Sequence, residues 1–166
     1  YLDSDDLLEK DKFTQQVEAL KRETDAAACY GKTDIFITRD SSTIKAWKRT
    51  GEKIDSLLPS MLAGRWWGTS SALYRRSVCD SAGPWRNLIN EEDWEYDCRL
   101  ALSNNNLCYV DETVSIQRQH QNSRLSTNGS SDVKKLASRA RARQLIISHA
   151  LEFGLDSHTA EFERLL

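Results

Sequence analysis

Three carboxylates fall within four residues near the start of the chain, in Asp3-Ser4-Asp5-Asp6. Groups this close repel one another unless a cation or solvent compensates them. Tyr1-Leu2 ahead of them reads as the end of a buried strand. Hard oxygen donors at a strand end suit Mg²⁺ or Mn²⁺ held against a phosphate-bearing ligand. Asp6 alone also fits a helix N-cap with favourable negative charge, but three acidic groups exceed what a cap needs. A second acidic group, Glu91-Glu92-Asp93, stands just before Trp94 at the start of a helical pattern. There Asn90-x-x-Asp93 fits a capping box, and a helix N-terminus favours an ionised carboxylate. The third piece is Gln117-Arg118-Gln119-His120, whose arginine can pair with phosphate.

These pieces need elements to hold them. Phe13, Val17 and Leu20 recur at i, i+4 and i+7, which predicts an amphipathic helix over Asp11–Glu23. Ala26–Tyr30 and Ile35–Thr38 read as two short strands around Gly31-Lys32-Thr33-Asp34, a hairpin or one strand with a bulge. Lys45–Lys53 reads as a loop, and Asp55–Leu62 as helical despite Pro59. Ser70–Arg76 is a strand or strand-to-helix junction, followed by a short helix and a turn at Gly83-Pro84. Asn90 opens a helix with Trp94, Cys98, Ala101 and Leu102 on one face. Leu107–Val110 and Thr113–His120 follow as strands. In the second, Val114, Ile116, Arg118 and His120 share a face, so His120 also reads as a partly buried histidine. A polar stretch, Asn122–Ser131, precedes a helix over Val133–Phe153 and a last short helix, which look like an appendage. Strands alternating with helices argue for an α/β sandwich.

Composition bounds the rest. The chain has 166 residues, 39% hydrophobic, with a formal charge of −2. That is one domain's worth, and the charge predicts no nucleic-acid partner. No apolar run approaches ~18 residues, so no membrane span is expected. Cys29, Cys79, Cys98 and Cys108 have no metal-ligand spacing, and three of them fall in apolar stretches and read as reduced core thiols of a cytoplasmic protein.

Four ordered segments resemble glycosyltransferase family 2, the inverting sugar transferases of the GT-A fold. They are Tyr1–Asp6 with the following helix; Ser71–Val78 with Gly83-Pro84-Trp85; Glu92–Asp97 with Arg99-Leu100-Ala101; and Tyr109–Glu112 with Arg118-Gln119-His120. The resemblance implies a GT-A-like three-layer α/β sandwich. It spans the C-terminal half of the catalytic domain from the DxD segment onward (1–126), with a polar linker and helical extension (127–166). The half that usually precedes the DxD segment would be missing, exposing a sheet edge through which two copies could pair.

The resemblance also implies roles. Asp3 would lie near the nucleotide ribose, Asp5 would ligate Mn²⁺ or Mg²⁺, and Asp6 would assist either. His120 would be a further metal ligand or diphosphate contact, since imidazole takes Mn²⁺ more readily than Mg²⁺. Arg118 would contact the diphosphate. Asp93, or Glu92 one residue earlier, would be the general base that deprotonates the acceptor hydroxyl. Trp67, Trp85, Arg75 and Arg76 would face the acceptor, although aromatics at turns also anchor loops. The partners implied are a nucleotide-diphosphate sugar and a glycan, lipid or protein acceptor, as in polysaccharide synthesis. Separately from the resemblance, Lys134, Lys135, Arg139, Arg141 and Arg143 read as a solvated helical face, or as a contact with the cytoplasmic face of an anionic membrane. The competing expectation is a catalytically incompetent fragment or an interaction domain of the same fold.

Overall fold

The structure is a computed structural model and describes residues 2–119 and 132–165, the side chain of Glu161 apart. The polar stretch over 122–131 therefore lies outside the described residues. Two compact units emerge, one from residues 2–55, 66–75 and 106–119, the other from 56–65, 76–105 and 132–165.

The first unit is built on a mixed sheet. Its strands are β1 (Leu7–Leu8), β2 (Ala28–Ile37), β3 (Ser42–Ile44), β4 (Leu73–Tyr74) and β5 (Leu107–Gln119). The order is β1-β5-β2-β3, with β4 also paired to β2. Long parallel β2 and β5 form the centre, and every other pairing is antiparallel. The two short strands expected around Gly31 are one strand with a bulge, because the register against β5 shifts at Gly31 and Lys32. Glycine is required there. A Cβ on Gly31 would stand 2.6 Å from a Val114 methyl and 3.0 Å from the Glu112 carbonyl. Likewise, the two strands expected after Leu107 are continuous in β5.

Helix α1 (Lys12–Arg22) forms where the spacing predicts, but it turns a different face inward. Phe13 and Val17 are exposed, while Lys12, Gln16, Ala19 and Leu20 are buried. The reason is hydrogen bonding to the sheet and its flanking chain. Lys12 Nζ donates to the Ser71 carbonyl at 2.6 Å, and Gln16 Nε2 donates to the Cys29 carbonyl at 2.8 Å. Buried carbonyls need donors, and these two side chains supply them. Burial pulls the Lys12 ammonium down to about 8.

The second unit holds α2 (Arg76–Ala82), α3 (Glu92–Leu100), α4 (Val133–Glu152) and α5 (Ala160–Leu165). Residues 55–62 form turns rather than the expected helix. Pro59 offers no N–H, and the Asn105 side chain takes over the backbone pairing of Leu58, accepting from its N–H and donating to its carbonyl, each at 2.8 Å. Leu57, Leu58, Met61 and Leu62 are buried in consequence. Helix α4 contacts α3 within this unit. Ala142, Ile146, His149 and Ala150 are its buried residues, and His149 reaches Glu95 of α3. Among the described residues no helix is long and apolar enough to cross a membrane.

Candidate functional site

In the first unit the acidic cluster is a turn that leads into β1, not the end of a strand. The Asp6 amide donates to the Asp3 carbonyl at 3.1 Å, and Leu2 is exposed. This turn separates the three carboxylates by role. Asp6 is buried and accepts from the Ser70 hydroxyl at 2.9 Å. Burial pushes its carboxyl above the usual range; Ser70 opposes the shift, and the charges of Asp3 and Asp5 add to it. Asp6 is thus a structural anchor, already solvated by protein, and not a group facing a ligand. Asp3 is exposed and Asp5 partly so.

Arg118 sits on β5, and its Nε donates to the backbone carbonyl of Asp5. The arginine expected at a phosphate therefore fixes the loop that carries Asp5. His120, expected as a metal ligand, lies outside the described residues. Among the described residues no three His, Cys, Asp or Glu side chains come together as a metal cage. An ion at a diphosphate does not need one: Mg²⁺ commonly takes one or two carboxylates and fills its shell with phosphate and water. Asp5, with Asp3 two residues away, fits that mode and not a closed protein site.

Two expected acceptor contacts in this unit are otherwise engaged. Trp67 is fully buried and stacked on Tyr30, with centroids 4.9 Å apart, so its ring offers no face to a sugar. Arg75 donates to the carbonyls of Ala26, Leu20 and Glu23. It closes the C-terminal end of α1, where orphan carbonyls attract a cation.

In the second unit α3 carries the proposed base. Its N-cap is Glu91, in left-handed conformation with φ 62°, so the capping box expected from Asn90 does not form. Two arginines of α4 hold Glu91 in place: Arg139 Nε at 3.0 Å and Arg143 Nε at 3.4 Å. Two of the five basic residues expected at a membrane are thereby committed to α3. Glu92 and Asp93 are partly exposed, while every residue from Trp94 to Leu100 is buried. Only those first two can meet a substrate from solvent.

Asp93 is held from two sides. Its Oδ1 accepts from the Trp94 amide at 2.7 Å, and its Oδ2 pairs with Arg65. The same guanidinium donates through Nε to Asp97 at 2.7 Å, and Asp97 is fully buried. Arg65 was not legible as a site residue, because no motif marks it among 23 lysines and arginines. Trp94 is fixed by its own Nε1, which donates to the Met61 carbonyl at 2.7 Å. The next residue, the buried Glu95, accepts from Arg99 at 2.9 Å, Arg86 at 3.0 Å and His149 at 2.8 Å. Burial alone would raise this carboxyl, but these donors outweigh it and hold it at about 2. Trp85 packs against Tyr96, with ring centroids 5.7 Å apart, and Arg76 is an exposed partner of Asp80 at 2.8 Å.

These elements can be compared with known proteins. No family model and no curated protein matches the chain. Among solved structures it matches the crystal structure of S. aureus TarS 1–349 in complex with UDP-GlcNAc, with a TM-score of 0.66. The chain shares the fold of TarS. The match covers 98% of this chain at 14% sequence identity. It covers 44% of the TarS chain, so the protein spans less than half of that structure's length. The α/β, GT-A-like architecture expected from the sequence is the one found.

Proposed function

We propose that the protein contributes to metal-dependent inverting transfer of a sugar from a nucleotide-diphosphate donor to an acceptor hydroxyl. The observation that carries this reading is Asp93: a partly exposed carboxylate at the start of a buried helix, fixed by Arg65 and the Trp94 amide. Such a group can accept the acceptor's proton as that oxygen attacks the anomeric carbon and the nucleoside diphosphate departs. Glu92 is the alternative base. A divalent cation, when bound, would neutralise charge on the departing diphosphate. Asp5 is the residue suited to hold it, with Arg118 fixing the Asp5 backbone and Asp3 beside it.

The TarS structure holds UDP-GlcNAc, which makes a UDP-sugar the first donor to try. The acceptor class is a glycan, lipid or protein hydroxyl, and Arg76 and Trp85 remain the acceptor-side residues of this reading. The proposal is tested by following UDP release from UDP-GlcNAc, with Mn²⁺ and a panel of hydroxyl acceptors. Asp93→Asn should lower turnover by ~10²–10⁴ while UDP binding persists. Full turnover in that variant removes Asp93 as the base. A folded protein that binds no UDP in either form favours the interaction-domain reading.

A further inference from the structure

Two cysteines outside this site stand side by side in the centre of the first unit. Cys29 on β2 and Cys108 on β5 are register partners in the parallel pairing, so both thiols project from the same face of the sheet. They share an apolar cluster with Ala19, Leu20 and Ala26, and their exposure is 0% and 5%. Registered neighbours on adjacent strands lie ~4.7–4.9 Å apart, inside the Cα span of ~4.4–6.8 Å that a disulfide accepts. The Cys29 thiol donates to the Tyr30 carbonyl at 3.8 Å. The Cys108 thiol and burial together raise Cys29, while the Cys29 thiol pulls Cys108 down. Cys108, the less completely buried of the two, is the sulfur that an oxidant meets first, and Cys29 beside it is placed as the resolving partner.

We propose that Cys29 and Cys108 form a peroxide-oxidisable dithiol, a modification site that converts reversibly into a cross-strand disulfide. Cys108 Sγ attacks one oxygen of the peroxide, the O–O bond breaks, and the sulfenic acid forms with release of water. Cys29 Sγ then attacks that sulfur and expels a second water, so two thiols and one peroxide yield one disulfide and two waters. The sheet holds the two Cα–Cβ bonds nearly parallel, which a relaxed disulfide does not favour. The bridge is accordingly easy to reduce, and a dithiol reagent restores both thiols. Its effect is to bolt together the two long strands on which the first unit is built.

The test exposes the intact chain to hydrogen peroxide under native conditions, blocks remaining thiols with N-ethylmaleimide, and reads intact mass and disulfide-linked peptides. The expected result is the loss of two hydrogens and a Cys29–Cys108 linked peptide, reversed by reductant and unchanged in Cys79→Ser. In Cys29→Ser the linkage should vanish and Cys108 should carry a sulfenic or higher acid. Cys79 is partly exposed and serves as the internal measure of oxidant access. If Cys29 and Cys108 both remain as thiols once Cys79 is oxidised, or if the link formed involves Cys79, the proposal is overturned. Over-oxidation of Cys108 in the wild-type chain without a linked peptide also overturns it.

Discussion

Arg65 donates through Nε to the buried carboxylate of Asp97 at 2.7 Å, and that guanidinium also reaches Asp93 one turn earlier on α3. A fully buried Asp97 thus neutralises the cation that holds the partly exposed Asp93. One side chain from the chain segment before Trp66 thereby pairs with both carboxylates.

Removing that side chain has a defined cost. Arg65→Ala leaves Asp97 buried without this cation, which typically costs ~3–5 kcal/mol. The expected outcome is a matching fall in urea-unfolding free energy, largely recovered when Asp97→Asn is added. An unchanged midpoint in the single variant would show that Asp97 does not depend on Arg65.

Glu95 predicts an acid limb. Its carboxyl ordinarily titrates at 4.5 and is held at about 2 in the folded chain. A depressed carboxyl contributes stability that is fully present above the unfolded value and is lost as pH falls from 4.5 towards 2. Unfolding free energy should drop across that window in the wild-type chain and drop less in Glu95→Gln. Parallel pH profiles for the two would contradict the ion-pair account.

Arg75 separates architecture from acceptor binding. Its three carbonyl contacts place it on the end of α1, so Arg75→Met should lower stability by ~1.5–3 kcal/mol. The KM for the acceptor should stay as in the wild type once a working acceptor is in hand. A raised KM with unchanged stability would return Arg75 to the acceptor side.

Local pattern carried the elements well where packing and hydrogen bonding agreed with it. The run from Glu92 through Leu100 becomes α3, and the stretch around Gly31 becomes a strand with a bulge. It misled where the deciding partner is distant. Phe13 and Val17 have the right spacing for a buried face, yet the Ser71 carbonyl, 59 residues from Lys12, selects the polar face instead. The same limit hid Arg65, whose importance rests on two carboxylates about 30 residues later (28 and 32 residues on). In the acidic cluster, Asp6 reads as a cap or as an aid to either neighbour, but a serine at position 70 draws Asp6 inward and leaves Asp3 and Asp5 outside. Trp67 shows the converse: a tryptophan at a turn can be core, here stacked on Tyr30.

The division between Asp5 and Asp6 offers the most direct test of a metal-assisted diphosphate site. The measurement is calorimetric titration of the chain with UDP, with and without Mn²⁺, in wild type, Asp5→Ala and Asp6→Asn. The account predicts Mn²⁺-dependent binding that Asp5→Ala loses. Asp6→Asn should keep it, because the amide can still accept from Ser70. Binding that ignores Mn²⁺, or that survives Asp5→Ala unchanged, would contradict the account.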